Sequence, residues 1–158
     1  TASQLHSRDM YENVFYGYNS SDNPPEPNET DDSFVDRVQK QNYNYRNLVE
    51  NIYPYGGSVF HAYARFEMEW GGDTDDGMLE KPLHRQNIHN EKYKEIGVGI
   101  VTGKNEQGDD KVGPVIVTQD FGTEQNSSAF VTGVAYFDLD EDGFYDIGEG
   151  IGGIRVDV

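Results

Sequence analysis

LHRQNIHNEKYKEIGVGIVTGKNEQGDDKVGPVIVTQDFG, residues 83–122, is the stretch that decides how this chain folds. It opens on a polar turn carrying His84 and Arg85. Two runs of strand character follow, joined by a charged loop that contains glycine. The first, Glu95 to Thr102, places Ile96, Val98 and Ile100 on one face and Val101 on the other, with Gly97 and Gly99 between them. The second, Pro114 to Phe121, is rich in Val, Ile and Thr and closes on Gly122. Alternation of β-branched residues bounded by glycine predicts an antiparallel hairpin buried in a core.

The rest of the chain supplies what such a hairpin packs against. At 158 residues it is long enough for one domain of ordinary size with a small appendage. Its 11 Tyr and 8 Phe provide large side chains for a core. The net charge of −17, from 29 acidic against 12 basic residues, excludes a nucleic-acid partner, because phosphate backbones are met by basic faces. An anionic membrane surface is excluded on the same ground, whereas divalent cations or high ionic strength suit such a chain. Zero cysteines removes disulfides, thiol catalysis and thiolate metal sites. No apolar run reaches the ~20 residues needed to cross a bilayer.

Residues 2–17 read as a helix. Leu5, Met10, Val14 and Phe15 form its partial apolar stripe, Ser3 is its candidate N-cap and Gly17 its left-handed end. Residues 18–31 are rich in Asn, Ser, Pro and Glu and read as an exposed loop. Ser33 to Gln39 is a short helix with Phe34, Val35 and Val38 inward. Residues 41–51 lead through tyrosines into Val49-Glu50-Asn51-Ile52. Ser58 caps the next helix and Gly71-Gly72 ends it. On that helix Val59, Tyr63, Phe66 and Trp70 share one buried face, while His61, Arg65 and Glu69 form a second row. That row is either a solvated face with weak ion pairs or part of a site. Residues 73–81 form an acidic loop.

Past Gly122 the composition changes. Residues 123–128 are a polar linker, Phe130 to Phe137 reads as a strand, and Ile154 to Val158 as another. Between them lies DLDEDGFYDIGE, residues 138–149, which fits D-x-D-x-D-G-x-x-D-x-x-E, the spacing of an EF-hand calcium loop. Asp138, Asp140 and Asp142 would supply carboxylates, Phe144 its carbonyl, Asp146 a direct or water-bridged contact, and Glu149 a bidentate carboxylate. Carboxylates packed this closely repel one another without a cation. The flanks are strand-like, so a paired-helix calcium sensor is not expected. About thirty residues bury too little surface to fold unaided, so this segment leans on calcium, on the domain before it, or on further strands of a larger module that the chain begins.

The order of HR-x-N-I at 84–88, E-I-G-V-G at 95–99 and T-Q-D-F-G at 118–122, with HS-x-D-M at 6–10, the Asp36-Arg37 pair and V-E-N-I at 49–52, resembles the CAP superfamily. That superfamily comprises cysteine-rich secretory proteins, antigen 5 and pathogenesis-related proteins, and the likeness is to its cysteine-free bacterial branch. The resemblance implies an α/β (α+β) fold: a three-layer α-β-α sandwich with an antiparallel sheet over residues 1–122. A short C-terminal β segment surrounds the calcium loop over 129–158. That second part is similar to the calcium-stabilised β-sandwich repeats of bacterial surface adhesins.

The resemblance also implies a cleft. Family members often carry two His and two Glu there, able in some to hold a divalent metal. Glu50 and His84 match two of these positions; the first histidine is replaced by Tyr18; the second glutamate is Glu69 or, on another alignment, Asp73. With Tyr18 in a histidine's place, Zn2+ is poorly supported, and Ca2+ in the C-terminal loop is the expected cofactor. No local arrangement supplies catalysis instead. His84 and His89 are five apart rather than the four of H-E-x-x-H, and His6 and Ser7 diverge by about 100° on one helix. The expectation is a secreted or cell-surface, non-catalytic binding protein for an extracellular ligand (lipid, sterol, peptide or glycan). The alternative is a metal-dependent, peptidase-like hydrolase using Glu50 and His84.

Overall fold

A computed structural model describes residues 1–19, 33–70, 79–107, 110–126 and 133–155. Packing divides the chain into two units, Thr1–Asn126 and Ser127–Val158.

The first unit is built on β5, Val115–Glu124, the central strand of a three-stranded antiparallel sheet ordered β1-β5-β2. Its residues are buried from Val115 to Thr123, as expected of a strand with a partner on each edge and helices on both faces. β2, Glu95–Thr102, pairs with it from Glu95↔Gly122 to Thr102↔Val115, so the two strands read from the sequence are neighbours. Their connection is not a plain loop: it folds into a second hairpin, β3 (Asn105–Gln107) against β4 (Asp110–Val112). On the other side stands β1, Tyr45–Gly56. The sequence does not announce this strand, because Arg46, Asn47, Glu50, Asn51 and Pro54 interrupt its apolar pattern.

Side chains alternate across this sheet and sort the core into two layers. On one face Ile52 and Ile116 meet Met10 and Val14 of α1, Ala2–Asn13. On the other Val115 and Val117 meet Ala62 and Phe66 of α3, Val59–Met68. Each such side chain removed from water stabilises the fold by about 1.5–3 kcal/mol. The short helices α2 (Ser33–Gln39) and α4 (Leu83–Ile88) complete the unit, an α/β sandwich around an antiparallel sheet as anticipated.

Several local expectations are corrected. α1 is capped by Thr1, whose hydroxyl accepts from the Gln4 amide, not by Ser3, and it ends at Val14 (φ 50°), not Gly17. Its buried side carries Ser3, His6 and Ser7, each at most 1% exposed, as well as Ala2 and Met10, while Leu5 lies outside. The small Ser3 suits how closely α1 approaches β2: a Cβ on Gly99 would stand 2.2 Å from the Ser3 carbonyl. Ser58 does cap α3, but the helix closes at Glu69 (φ 49°), before the glycines. Of its expected buried face only Phe66 is inside; Val59, Tyr63 and Trp70 are exposed, and Ala62 and Glu69 take their places. β2 is an edge strand, so Ile96 and Val98 face solvent rather than a core.

In the second unit Tyr136 and Gly150 form a β-bridge, flanked by bonds from the Ile151 amide to the Ala135 carbonyl and from the Phe137 amide to the Glu149 carbonyl. Among its described residues there is no longer strand. Residues 130–132 and 156–158 of the two expected strands lie outside the described residues, as do Asp73 and most of the loops expected at 18–31 and 73–81. No helix among the described residues is long and apolar enough to cross a membrane.

Candidate functional site

Two residues adjacent in sequence, Glu50 and Asn51, fall on opposite faces of β1 and organise two separate polar clusters. The pairing of β1 with β5 is regular from Asn47 to Tyr53, so the parity of side chains is fixed there.

Glu50 points to the face covered by α1. Its carboxylate receives both bonds from one guanidinium nitrogen of Arg37, at 2.8 and 3.0 Å. Directly across the ladder is Asp120, whose buried Oδ1 has no hydrogen-bond partner among the described residues. Ser3 donates to Asp120 Oδ2 at 2.7 Å. Burial, aided by the Asp120 charge and opposed by Arg37, pushes the Glu50 carboxyl up to about 9; burial also raises that of Asp120. Glu50 is therefore held protonated at neutral pH, beside the Arg37 guanidinium. His6 lies alongside, with Nε2 2.9 Å from the Gly17 carbonyl and 3.8 Å from Glu50. Burial, reinforced by Arg37, holds this imidazole down at about 4, so it is neutral. Tyr18, which stands where the family has a histidine, is exposed, and its backbone carbonyl accepts from Arg37 at 2.8 Å.

Asn51 points to the face covered by α3 and α4. It donates to the His84 carbonyl at 3.1 Å and accepts from Asn87 at 2.8 Å, gripping α4 at two points. Pro82, at the start of α4, offers no side-chain cap. The fully buried Glu69 does this from α3 instead, accepting from the backbone amides of His84 and Arg85. The same carboxylate lies 3.0–3.1 Å from His84 Nδ1. That contact fixes the ring and leaves Nε2 as its outer nitrogen. Phe66 packs on the imidazole at 5.2 Å, and Tyr53, His61 and Trp70 continue the aromatic wall.

The expected Glu50–His84 pair is thus not formed. The two stand on opposite faces of the sheet, a consequence of strand parity that becomes visible only once β1 is recognised as a strand. Glu69, one of the two alternatives for the second glutamate, is the carboxylate that meets His84. Arg37 was noted as half of a sequence pair, but its bond to Glu50 was not foreseen, nor were the parts of Ser3, Asn51 and Asp120. This donor set does not fit zinc. Glu50 is tied to Arg37, Glu69 is spent on three N–H groups, and Tyr18 offers a carbonyl already in use.

The acidic loop is a different case. Turned at Glu141 (φ 62°) and Gly143 (φ 81°), it brings ligand oxygens of Asp138, Asp140 and Glu149 within 4.8 Å of one another, and likewise those of Asp140, Asp142 and Asp146. Asp138 accepts from the amides of Asp142 and Gly143. Glu149, buried, accepts from Leu139 and Asp146. An all-oxygen set of this kind fits a hard cation such as calcium. Phe144 is exposed, with its amide bonded to Asp142.

An antiparallel sheet clasped between two helical layers, with a His–Glu contact on one face and a buried acid pair on the other, makes this unit an α/β sandwich with a polar cluster on each face of its sheet. The model of the CAP family, described as the cysteine-rich secretory protein family, matches residues 1–121. The chain belongs to that family. No curated protein matches it. Its fold is similar to a 1.5 Å crystal structure of an extracellular protein containing a SCP domain from Bacillus anthracis str. Ames, with a TM-score of 0.50 and 22% identity. The likeness covers 78% of this chain and 30% of that one, and at this identity it speaks to the fold alone.

Proposed function

We propose that this chain is part of a secreted or cell-surface CAP-domain protein that binds a ligand without chemical turnover and carries a structural calcium ion in its C-terminal unit. The observation that carries the first part is the engagement of both described family-position carboxylates inside the protein: Glu50 with Arg37, Glu69 with the amides of α4 and with His84. A metal-dependent hydrolase needs those groups free to converge on one ion and its water, and opposite faces of a sheet prevent Glu50 and His84 from doing so. The extracellular placement draws on the described character of the Bacillus anthracis neighbour and on the acidic surface. The similarity of the C-terminal unit to adhesin repeats rests on its sequence pattern.

Calcium would be held by Asp138, Asp140, Asp142, Asp146 and Glu149, with the Phe144 carbonyl completing the set. Its contribution is charge neutralisation of a loop that otherwise repels itself. Isothermal titration of the whole chain with calcium chloride tests this. The expected result is one site with a Kd on the order of 10⁻⁴–10⁻³ M, lost in Glu149→Ala. Absence of uptake at millimolar calcium contradicts it.

A further inference from the structure

Among the described residues, the outer edge of β2 is unpaired at Ile96 and Val98, beside a cleft that contains Glu95 and Asp120, and the two features share residues. In an antiparallel ladder alternate residues turn their amide and carbonyl toward the partner strand. The Gln4 side chain bonds both the amide and the carbonyl of Ile100 at 3.0 and 3.1 Å, so Ile100 faces outward from β5. By the two-residue period, Ile96 and Val98 face outward as well. No described residue pairs with their backbone groups, and their side chains are 54% and 45% exposed. Gln4 thus protects one outward position of this edge and leaves the next two bare. Natural edges are usually blunted along their length.

Glu95, Ile96 and Gly97 also form the β2 wall of a cleft of about 270 Å³, closed on other sides by Tyr43, Leu48 and Asp120. Its carboxyl groups are Glu95, partly exposed, and Asp120, buried and bonded by Ser3, so Glu95 is the charge that an entering cation would meet; none of the lining residues is Lys, Arg or His. Ser3, in the first turn of α1, already donates to Asp120, so the amino end of that helix is served by a resident carboxylate. A residue laid opposite Gly97 in an added strand would direct its side chain to this same face.

We propose that β2 takes an extended, basic peptide of a partner protein as a fourth strand, paired with Ile96 and Val98, with a Lys or Arg side chain reaching the cleft. Backbone bonds supply pairing and the alternate side chains supply selectivity. The net charge of −17 favours this occupant over a second acidic copy of the chain. The inference rests on the binding-module reading and names its partner class. Its failure is separable from that of the reading, because calcium uptake and the absence of zinc do not depend on it.

The test is an NMR titration of the whole chain with the synthetic peptide acetyl-Thr-Val-Lys-Val-Thr-amide. Saturable shifts at the Ile96 and Val98 amides are expected, with slowed hydrogen exchange there. Replacing the peptide's Lys by Glu should weaken binding about tenfold or more. Val98→Pro removes an outward N–H without breaking the β5 ladder and should abolish binding. Should that variant not fold, the peptide N-methylated on alternate amides removes the same bonds from the other side. No saturable shift at these amides, equal binding of the Lys and Glu peptides, or concentration-dependent self-association through β2 would each overturn the proposal.

Discussion

Glu50 and Asp120 sit opposite each other on the ladder, with Arg37 bonded to Glu50, and the raised Glu50 carboxyl makes this cluster sensitive to alkaline rather than acid conditions. A carboxyl raised from 4.5 to about 9 on folding contributes stability that is complete below 4.5 and is lost as pH climbs toward 9, because the unfolded chain releases the proton first. His6, lowered from 6.5 to about 4, has the opposite sign and acts only below 6.5. The window from pH 6.5 to 9 therefore isolates the acid pair. Glu50→Gln mimics the protonated form, so its urea midpoint should fall less steeply across that window than the parent's. Parallel slopes would show that Glu50 carries no such proton. The sequence offered Glu50 as a site residue through its V-E-N-I box and gave no sign of Asp120, seventy residues away; only strand register brings them together.

At the scale of elements, the closeness of α1 to the sheet is set by glycine. Gly97 and Gly99 leave room for Ser3, and a Cβ at Gly99 would lie 2.2 Å from backbone atoms of α1. Gly99→Ala should therefore cost about 1–3 kcal/mol or more in chemical denaturation, through overpacking that no rotamer relieves. Gly152→Ala, with nothing within 4 Å, should stay within about 0.5 kcal/mol. Equal effects would mean that α1 stands farther off. The glycines of E-I-G-V-G were legible as part of a strand, and so were β2, β5, the α3 cap and the bounds of α2. The strand β1 was not. Its polar residues serve the two buried clusters, and those same residues erase the alternation by which strands are recognised. The family resemblance is what joined Glu50 to His84, and only this strand's parity separates them.

At the scale of the whole molecule, 29 acidic residues against 12 basic ones are tolerated in two different ways. In the unit 1–126 the buried acids are neutralised by a proton, by Arg37 and by backbone N–H groups. In the unit 127–158 the acidic loop is exposed apart from Glu149, and under the calcium proposal an external cation would relieve its self-repulsion. Chelation of calcium should then speed amide exchange at residues 133–155 and leave β1, β2 and β5 unchanged, as followed by hydrogen exchange with mass spectrometry. Uniform protection with and without chelator would detach the loop from calcium. The grouping of the loop's carboxylates was legible, because they lie within twelve consecutive residues; the cleft was not, because its partners are joined only by the fold. The most direct measurement for the account as a whole is elemental analysis of the chain after dialysis against a buffer holding both calcium and zinc. One calcium per chain, lost in Glu149→Ala, with no stoichiometric zinc, is the predicted result. One zinc per chain that disappears in His84→Ala or Glu50→Ala would contradict it.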